Sequence, residues 1–185
     1  MLKILIIFFI LNFYNVALSS IKEKIINKMH LTNNLSFNFI QTIEDQTENG
    51  KCVIKYPKKI FCQYDNSKKK IIISNGKSLV IKNKSNKNFY IYPLNKTPLE
   101  FLLDKEYIIS NIRILEPRVI KNKYLNFRII KNSNEINIFF DKKNFNLIGW
   151  QTEDMYHNLT ITFISSIEIN KKINEKIFIL PKNNF

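Results

Sequence analysis

The sequence predicts a mainly β protein, in which an antiparallel meander of strands is preceded by one amphipathic helix and interrupted by one short apolar helix. Two features support this fold class. From Leu35 to Ile169, apolar and polar residues repeatedly alternate with a period of two, as in strands that bury one face. Between two runs of branched apolar residues, Asn75-Gly76 predicts a two-residue hairpin loop with positive φ at both positions.

The first 19 residues predict a cleavable signal peptide. A single positive charge precedes the apolar run Ile4 to Leu11, and the small residues Ala17 and Ser19 suit cleavage after position 19. The run is shorter than the roughly 20 residues that a membrane span needs, although an uncleaved anchor is the alternative. No Cys lies at the cleavage region, so we expect residues 20–185 to form one soluble exported domain without a lipid anchor.

The regular elements follow in order. Residues 20–31 predict an amphipathic helix, because Ile21, Ile25, Ile26 and Met29 share one face, and this helix is expected to pack on the sheet. The predicted strands are Leu35–Phe39, Lys51–Lys55, Ile60–Tyr64, Ile71–Ile73, Leu79–Ile81, Phe89–Tyr92, Tyr107–Leu115, Tyr124–Ile130, Glu135–Asp141, Phe145–Thr152 and Asn158–Ile169.

Two cysteines flank a predicted turn at residues 56–59. Pairing about this turn places Ile54 opposite Ile60 and Cys52 opposite Cys62, on the face that also carries Tyr64. Directly opposed residues lie within disulfide range, and an exported protein meets an oxidising compartment. We therefore predict a cross-strand disulfide, with two free core thiols as the alternative.

The segment from Pro93 to Asp104 breaks the strand pattern and predicts a short helix. Thr97 is placed to cap it and Pro98 to begin it, and Leu99, Leu102 and Leu103 make most of its circumference apolar. Such a helix between strands is expected either to act as a lid over an internal cavity or to be an ordinary packing helix.

Charge and motif content exclude several function classes. The formal charge of +14 comes almost wholly from lysines that are scattered along the chain, so no nucleic-acid partner is expected. A basic surface that faces anionic lipid or an acidic partner remains an alternative. Three glycines cannot supply a phosphate-binding glycine loop, and neither His30 nor His157 has companion ligands nearby in sequence. We expect neither an enzyme nor a protein with a metal or other cofactor.

A long meander with one apolar face can curve around a ligand cavity. Alternation selects the residues of the predicted lipid-binding wall, each of which is also consistent with plain core. They are Phe39, Ile54, Ile60, Leu125, Phe127, Ile129, Ile138, Ile161 and Phe163.

Several short motifs, in this order, resemble the LolA family of periplasmic outer-membrane lipoprotein carriers. They are Phe39-Ile40-Gln41, Gly50, Tyr56-Pro57, Tyr64, the run 74–77, Pro93, Thr97-Pro98-Leu99, Leu102-Leu103, the run 147–154, and Phe178 before Pro181. The resemblance covers nearly the whole mature chain. One departure is that Phe61-Cys62 stands where the family often has an Arg-Trp pair, so no cationic or indole role is carried over to these positions.

The resemblance implies a monomeric, incomplete β-barrel that is closed by helices and located in the periplasm. It implies that lipoprotein acyl chains are received from an inner-membrane release ABC transporter and handed to the outer membrane, where an acceptor protein is a further expected partner. Leu99, Leu102 and Leu103 are then expected to fill the empty cavity and to move aside for acyl chains. The alternatives are an envelope lipid-sensing domain of similar fold without transport activity, and a structural domain with a filled interior.

Overall fold

The computed structural model describes residues 20–66, 69–83, 89–131, 134–153 and 158–181. Within these ranges the chain forms three α-helices: α1 over residues 20–31, α2 at Leu99–Leu103 and α3 at Lys105–Ile114. The strands are β1 Asn34–Ile43, β2 Gln46–Lys55, β3 Lys59–Tyr64, β4 Lys70–Asn75, β5 Ser78–Asn83, β6 Phe89–Pro93, β7 Arg118–Ile120, β8 Tyr124–Lys131, β9 Asn134–Asp141, β10 Leu147–Glu153 and β11 Leu159–Ile169. The predicted signal peptide, together with His157, lies outside the described residues.

All eleven strands belong to one antiparallel sheet in the order β6-β5-β4-β3-β2-β1-β11-β10-β9-β8-β7. Each strand pairs with its sequence neighbour, except that β11 returns to pair with β1 in the middle of the sheet. β6 and β7 are the two edges and do not pair with each other, so the sheet is not closed. The predicted fold class, an incomplete antiparallel barrel with an N-terminal helix and a short helical segment, is confirmed.

The main core lies between one face of the sheet and the three helices. Ile25 and Ile26 of α1, Leu103 of α2, and Ile108 and Ile112 of α3 are buried in the same cluster as the inward side chains of the strands. The helical segment that links edge strands β6 and β7 therefore covers the inner face of the open sheet. No described helix is long and apolar enough to cross a membrane.

The cysteine hairpin forms with the predicted register. Ile54 pairs with Ile60 and Cys52 with Cys62, and the two sulfur atoms are bonded. Both cysteines are buried in the main core together with Tyr64, as the predicted inward face requires.

The segment Tyr107–Leu115, predicted as a strand, is helix α3, so that prediction is wrong. Its branched residues favoured a strand, but Ile108, Ile109 and Ile112 have the spacing of one helical face and all three are buried. The Asp104 carboxylate accepts a hydrogen bond from the Tyr107 backbone N–H at 3.1 Å and caps the first turn. Tertiary burial and this cap outweigh the local β propensity.

The Asn-Gly hairpin joins β4 to β5 as predicted, but the two residues between the strands are Gly76 and Lys77 instead of Asn75 and Gly76. Ser74 and Leu79 are the last paired positions of the two strands. Gly76 has φ of 100°, whereas Asn75 is not among the described residues with positive φ. Asn75 instead accepts hydrogen bonds on Oδ1 from the backbone N–H groups of Lys77 and Ser78. An Asx turn therefore replaces the predicted conformation with positive φ at both Asn75 and Gly76.

The chain after β11 crosses to the outer face of the sheet. A 3-10 turn at Glu175–Phe178 contacts β3 and β4, and Phe178 is buried there outside the main core cluster. The Glu175 carboxylate forms ion pairs with Lys55 and Lys59 of the cysteine hairpin. This C-terminal turn therefore covers part of the outer face of the hairpin.

Candidate functional site

Most of the predicted cavity wall lies on the inner face of the sheet. Seven of the nine residues are buried in the core cluster, namely Phe39, Ile54, Ile60, Leu125, Phe127, Ile129 and Ile138. Apolar side chains from the helices occupy the space in front of these seven residues. The structure thus brings these residues together against the helices.

Ile161 and Phe163 do not belong to this wall, and their predicted orientation is wrong. Phe163 is 54% exposed and Ile161 is half-buried, whereas their neighbours Thr160, Thr162 and Ile164 are buried. The register of β11 against β1 shifts between the partners of Ser36 and Asn38, and Ser166 there has a φ of 52°.

This irregularity explains the error. The prediction extended one alternation through the whole strand, and beyond the bulge that alternation is correct, since Ile167 packs against the core. A bulge inserts an extra residue and exchanges the two faces of a strand, so the residues before it point the other way.

The predicted lid residues lie under the sheet's concave face. Leu103 is fully buried, Leu102 is buried, and Leu99 is partly buried against the same cluster. In the described part of the chain, a single backbone hydrogen bond joins residues 99–103 to a strand or strand turn. Its donor is the Lys58 N–H, 2.9 Å from the Leu103 carbonyl oxygen. Helix α2 is therefore held mainly by its side chains.

Lys58 also holds α2 through its side chain. Its ammonium group lies 3.2 Å from a carboxylate oxygen of Glu100 and 3.3 Å from one of Asp104. The hydrogen bond to Glu100 is the main reason that the pKa of Lys58 is raised, while partial burial opposes the shift and Asp104 adds to it. The turn that carries Lys58 is itself anchored, because the Ser74 hydroxyl donates to the Lys58 carbonyl oxygen at 2.9 Å.

The predicted cap of α2 is absent. The Thr97 hydroxyl donates to the Leu94 carbonyl oxygen at 2.9 Å and so closes the preceding 3-10 turn at Leu94–Lys96. Pro98, expected as the first helical residue, occupies the N-cap position and offers no side-chain hydrogen bond. A five-residue helix without a side-chain cap gains little from its own backbone, so tertiary contacts stabilise it.

A polar chain interrupts the apolar inner face near the β1–β2 hairpin. The Tyr64 hydroxyl donates to Gln41 Oε1 at 2.9 Å, and Gln41 Nε2 donates to the Thr162 hydroxyl at 3.1 Å. Burial raises the pKa of Tyr64, and the nearby Glu48 carboxylate adds to this shift. Lys70 forms an ion pair with Glu48 and lies 3.8 Å from the centre of the Tyr64 ring.

Several interior residues were missed by sequence reasoning. They are Phe37, Ile136, Phe140 and Trp150 on strands, and Ile108, Ile109 and Ile112 on α3. Ile136 and Phe140 share the alternation of Ile138 and could have been selected by it. The three isoleucines of α3 were hidden by the wrong strand prediction.

One open cleft lies at the end of the molecule where α1 finishes. It has a free volume of about 40 Å³ and lies between Met29 and Thr32 at the end of α1, Tyr56, and the β9–β10 turn, where Phe145 and Asn146 line it. The Asn146 Oδ1 atom is buried and has no hydrogen-bond partner in the described structure. This volume suits one or two water molecules, so a larger ligand requires side chains to move.

Nothing in the described residues suits metal-dependent chemistry, since no group of three His, Cys, Asp or Glu side chains could hold a metal ion. Both cysteines are committed to the disulfide. The chemistry that the site offers is burial of apolar groups.

Comparison with known proteins identifies one family. The family model described as "Outer membrane lipoprotein carrier protein LolA" matches residues 30–180. No curated protein sequence matches the chain.

Comparison with solved structures gives matches at low identity and with TM-scores below 0.5. A LolA superfamily protein from Nitrosomonas europaea is 12% identical with a TM-score of 0.47, over 88% of this chain and 97% of that one. A DUF1329 family protein from Desulfovibrio piger is 7% identical with a TM-score of 0.47, again over 88% and 97%. A chain of the MucA/MucB complex of Pseudomonas aeruginosa is 7% identical with a TM-score of 0.46, over 89% of this chain and 61% of that one.

Proposed function

We propose that this chain, which belongs to the LolA family, is a periplasmic carrier that binds the acyl chains of lipoproteins and moves them from the inner to the outer membrane. In this proposal an inner-membrane ABC transporter supplies the cargo and an outer-membrane acceptor receives it. The chain acts as a binding protein without catalysis.

The supporting observation is the way α2 sits in the sheet. Its leucines are buried in the core, yet its polar links to the strands among the described residues are one backbone hydrogen bond, the Lys58 ion pairs and the contact of the Lys131 ammonium group with the Phe101 ring at 4.9 Å. A segment held by apolar side chains can exchange its place with other apolar groups, since the hydrophobic effect is not directional. Acyl chains would take the place of Leu99, Leu102 and Leu103 in the core cluster.

The energies favour reversible binding. Burying an acyl chain of 14 carbons stabilises a complex by about 11 kcal/mol, at about 0.8 kcal/mol per CH₂. Exposing three leucines costs about 5 to 9 kcal/mol, at about 1.5 to 3 kcal/mol each. The difference is small enough for cargo to leave again, whereas two or three chains in a vacant cavity would exceed the practical limit of affinity, about 18 to 21 kcal/mol.

The test is the release of lipoproteins from inner-membrane spheroplasts into a soluble complex with the purified protein. We expect release with the unaltered chain and at least a tenfold loss with Leu102→Asp, because a carboxylate at this buried position opposes both packing and acyl binding. Leu31→Asp, at an exposed position of α1, is the matched control and should leave release unchanged.

Thermal melting of both variants separates loss of the fold from loss of binding. A folded Leu102→Asp protein that releases lipoproteins normally would contradict the role of α2. Binding of free lipid without any release of lipoproteins would instead favour the lipid-sensing alternative.

A further inference from the structure

Three lysines lie at or near the cleft at the end of α1. Lys28 lines the cleft, and the ammonium group of Lys24 lies 5.6 Å from the centre of the Phe145 ring. Lys105 reaches the same region, since its ammonium group donates to the carbonyl oxygens of His30 and Thr32.

Two adjacent turns extend this basic region. The β9–β10 turn carries Lys142 and Lys143, and the β7–β8 turn carries Lys121 and Lys123. The turns are joined, because the Lys142 N–H donates to the Lys123 carbonyl oxygen at 2.8 Å. We call these seven residues, Lys24, Lys28, Lys105, Lys121, Lys123, Lys142 and Lys143, the lysine rim.

In the described parts of the chain, no carboxylate forms an ion pair that neutralises the positive charge of the lysine rim. The carboxylate in the β9–β10 turn is Asp141, and its Oδ1 accepts the backbone N–H groups of Lys143 and Asn144. The rim therefore presents a strongly positive surface around an apolar cleft.

Phe145 adds a second, independent observation. It lines the cleft and has a φ of 60°, a left-handed conformation that is uncommon for a bulky aromatic residue. Glycine or asparagine would occupy this turn position with less strain. Backbone strain of this kind persists where the surroundings determine it and is frequent at ligand-binding sites.

We propose that the lysine rim and the cleft form a docking face for an anionic phospholipid bilayer. The ammonium groups contact lipid phosphates, and Phe145 with the neighbouring apolar wall enters the acyl boundary. An apolar anchor inside a basic ring matches the two forces that hold peripheral proteins on anionic membranes. This goes beyond carriage of cargo, because it concerns contact of the carrier itself with the lipid surface.

The experiment is flotation of the purified protein, without lipoprotein, with vesicles. One set contains phosphatidylcholine alone and the other contains 30 mol %, or roughly a third, of phosphatidylglycerol, enough for a negative surface potential. The full chain is expressed and purified from the periplasmic fraction, and every variant carries the same N-terminus. We expect binding to the anionic vesicles only, and a decline as the salt concentration rises.

Two variants and one control test the face. The variant K24Q/K121Q/K123Q/K143Q removes four rim lysines that are exposed, and we expect a loss of about a hundredfold or more, since each lysine near an anionic surface contributes about fivefold. The control K51Q/K77Q/K96Q/K176Q removes four exposed lysines elsewhere and should lose less than about tenfold. Phe145→Gly should retain the fold and lose about tenfold, because the anchor is gone while the backbone conformation suits glycine.

Three results would overturn the proposal. The first is absence of binding to anionic vesicles at low salt, which would assign the rim to an acidic protein partner. The second is an equal loss in the rim variant and the control. The third is unchanged binding of Phe145→Gly. Because no lipoprotein is present, failure here is distinct from failure of the carrier function.

Discussion

The ammonium group of Lys58 lies 3.2 Å from the Glu100 carboxylate and connects the turn of the cysteine hairpin to helix α2. The same residue donates its backbone N–H to Leu103, so two contacts from one turn hold the segment over the interior. Separation of α2 from this turn must break both.

Lys58→Met should weaken the attachment of α2 without unfolding the protein. The ion pairs are partly exposed, so we expect a loss of about 0.5 kcal/mol in the free energy of unfolding. Faster hydrogen exchange at residues 99–103 and stronger binding of a hydrophobic dye are the readouts. Lys77→Met, at an exposed lysine away from α2, should change neither, and an equal change in both variants would contradict the attachment.

The same ion pair predicts that the stability of the protein falls at alkaline pH. The pKa of Lys58 is raised in the folded protein, mainly by its hydrogen bond to Glu100. The stabilisation is therefore fully present below the ordinary lysine pKa of 10.5 and is lost as the pH rises through the higher folded value. The difference in unfolding free energy between the unaltered chain and Lys58→Met should shrink in this window, and a constant difference would argue against it.

Gly50 should tolerate no side chain. A Cβ atom there would lie 2.1 Å from the Gln63 carbonyl oxygen and 2.9 Å from the Phe39 ring, which packs edge to face on Tyr64 with ring centres 4.8 Å apart. We expect Gly50→Ala to lower the free energy of unfolding by about 2 to 4 kcal/mol. Chemical denaturation monitored by circular dichroism measures this loss.

Gly76→Ala is the matched comparison. Gly76 has a φ of 100°, but the nearest atom to an added Cβ is 3.9 Å away. The expected cost is therefore the backbone strain alone, about 1 to 2 kcal/mol. A larger loss of unfolding free energy for Gly76→Ala than for Gly50→Ala would contradict the expectation that the close approach of strands makes Gly50 the less tolerant position.

The disulfide should stabilise the hairpin without determining its register. The double variant Cys52→Ala/Cys62→Ala opens a loop with a sequence separation of 10 residues. We expect about 2 to 3 kcal/mol less unfolding free energy. The fold should remain, because Ile54 and Ile60 still pair in the core. A reducing agent should lower the stability of the unaltered chain and leave that of the double variant unchanged, and loss of the fold in the double variant would contradict the expectation.

Truncation of Phe127 should destabilise the protein far more than truncation of Phe163. Phe127 is fully buried and stacks edge to face on Phe140, so Phe127→Ala should cost about 3 to 5 kcal/mol. Phe163 is largely exposed, so Phe163→Ala should change stability by less than about 0.5 kcal/mol. Similar losses in the two variants would mean that the outward face of β11 is covered.

Local pattern predicted much of the architecture. Alternation located ten of the eleven strands. It missed β7 at the edge of the sheet, because three residues are too few to show a period. The amphipathic helix at residues 20–31 was predicted because its apolar residues repeat with the helical period, and Ile25 and Ile26 are indeed buried. The cysteine register followed from a turn whose position the sequence shows.

Errors arose where distant contacts decide the structure. Ile108, Ile109 and Ile112 suit either a strand or a helix, and burial against the sheet with a cap from Asp104 selects the helix. The bulge near Ser166 reverses the face of Phe163, and it depends on the partner strand β1. Neither the helix nor the bulge can be predicted from the few residues that form it.

The sequence by itself determined the antiparallel meander, the pairing of Cys52 with Cys62 and the apolar character of the α2 segment, because each rests on neighbouring residues and their spacing. Only the tertiary structure decided that α2 lies inside the open sheet, that Lys58 holds it there, and that lysines from two helices and two turns lie near one cleft. These features join residues distant in sequence, and they form only because burial of the common core brings those residues together.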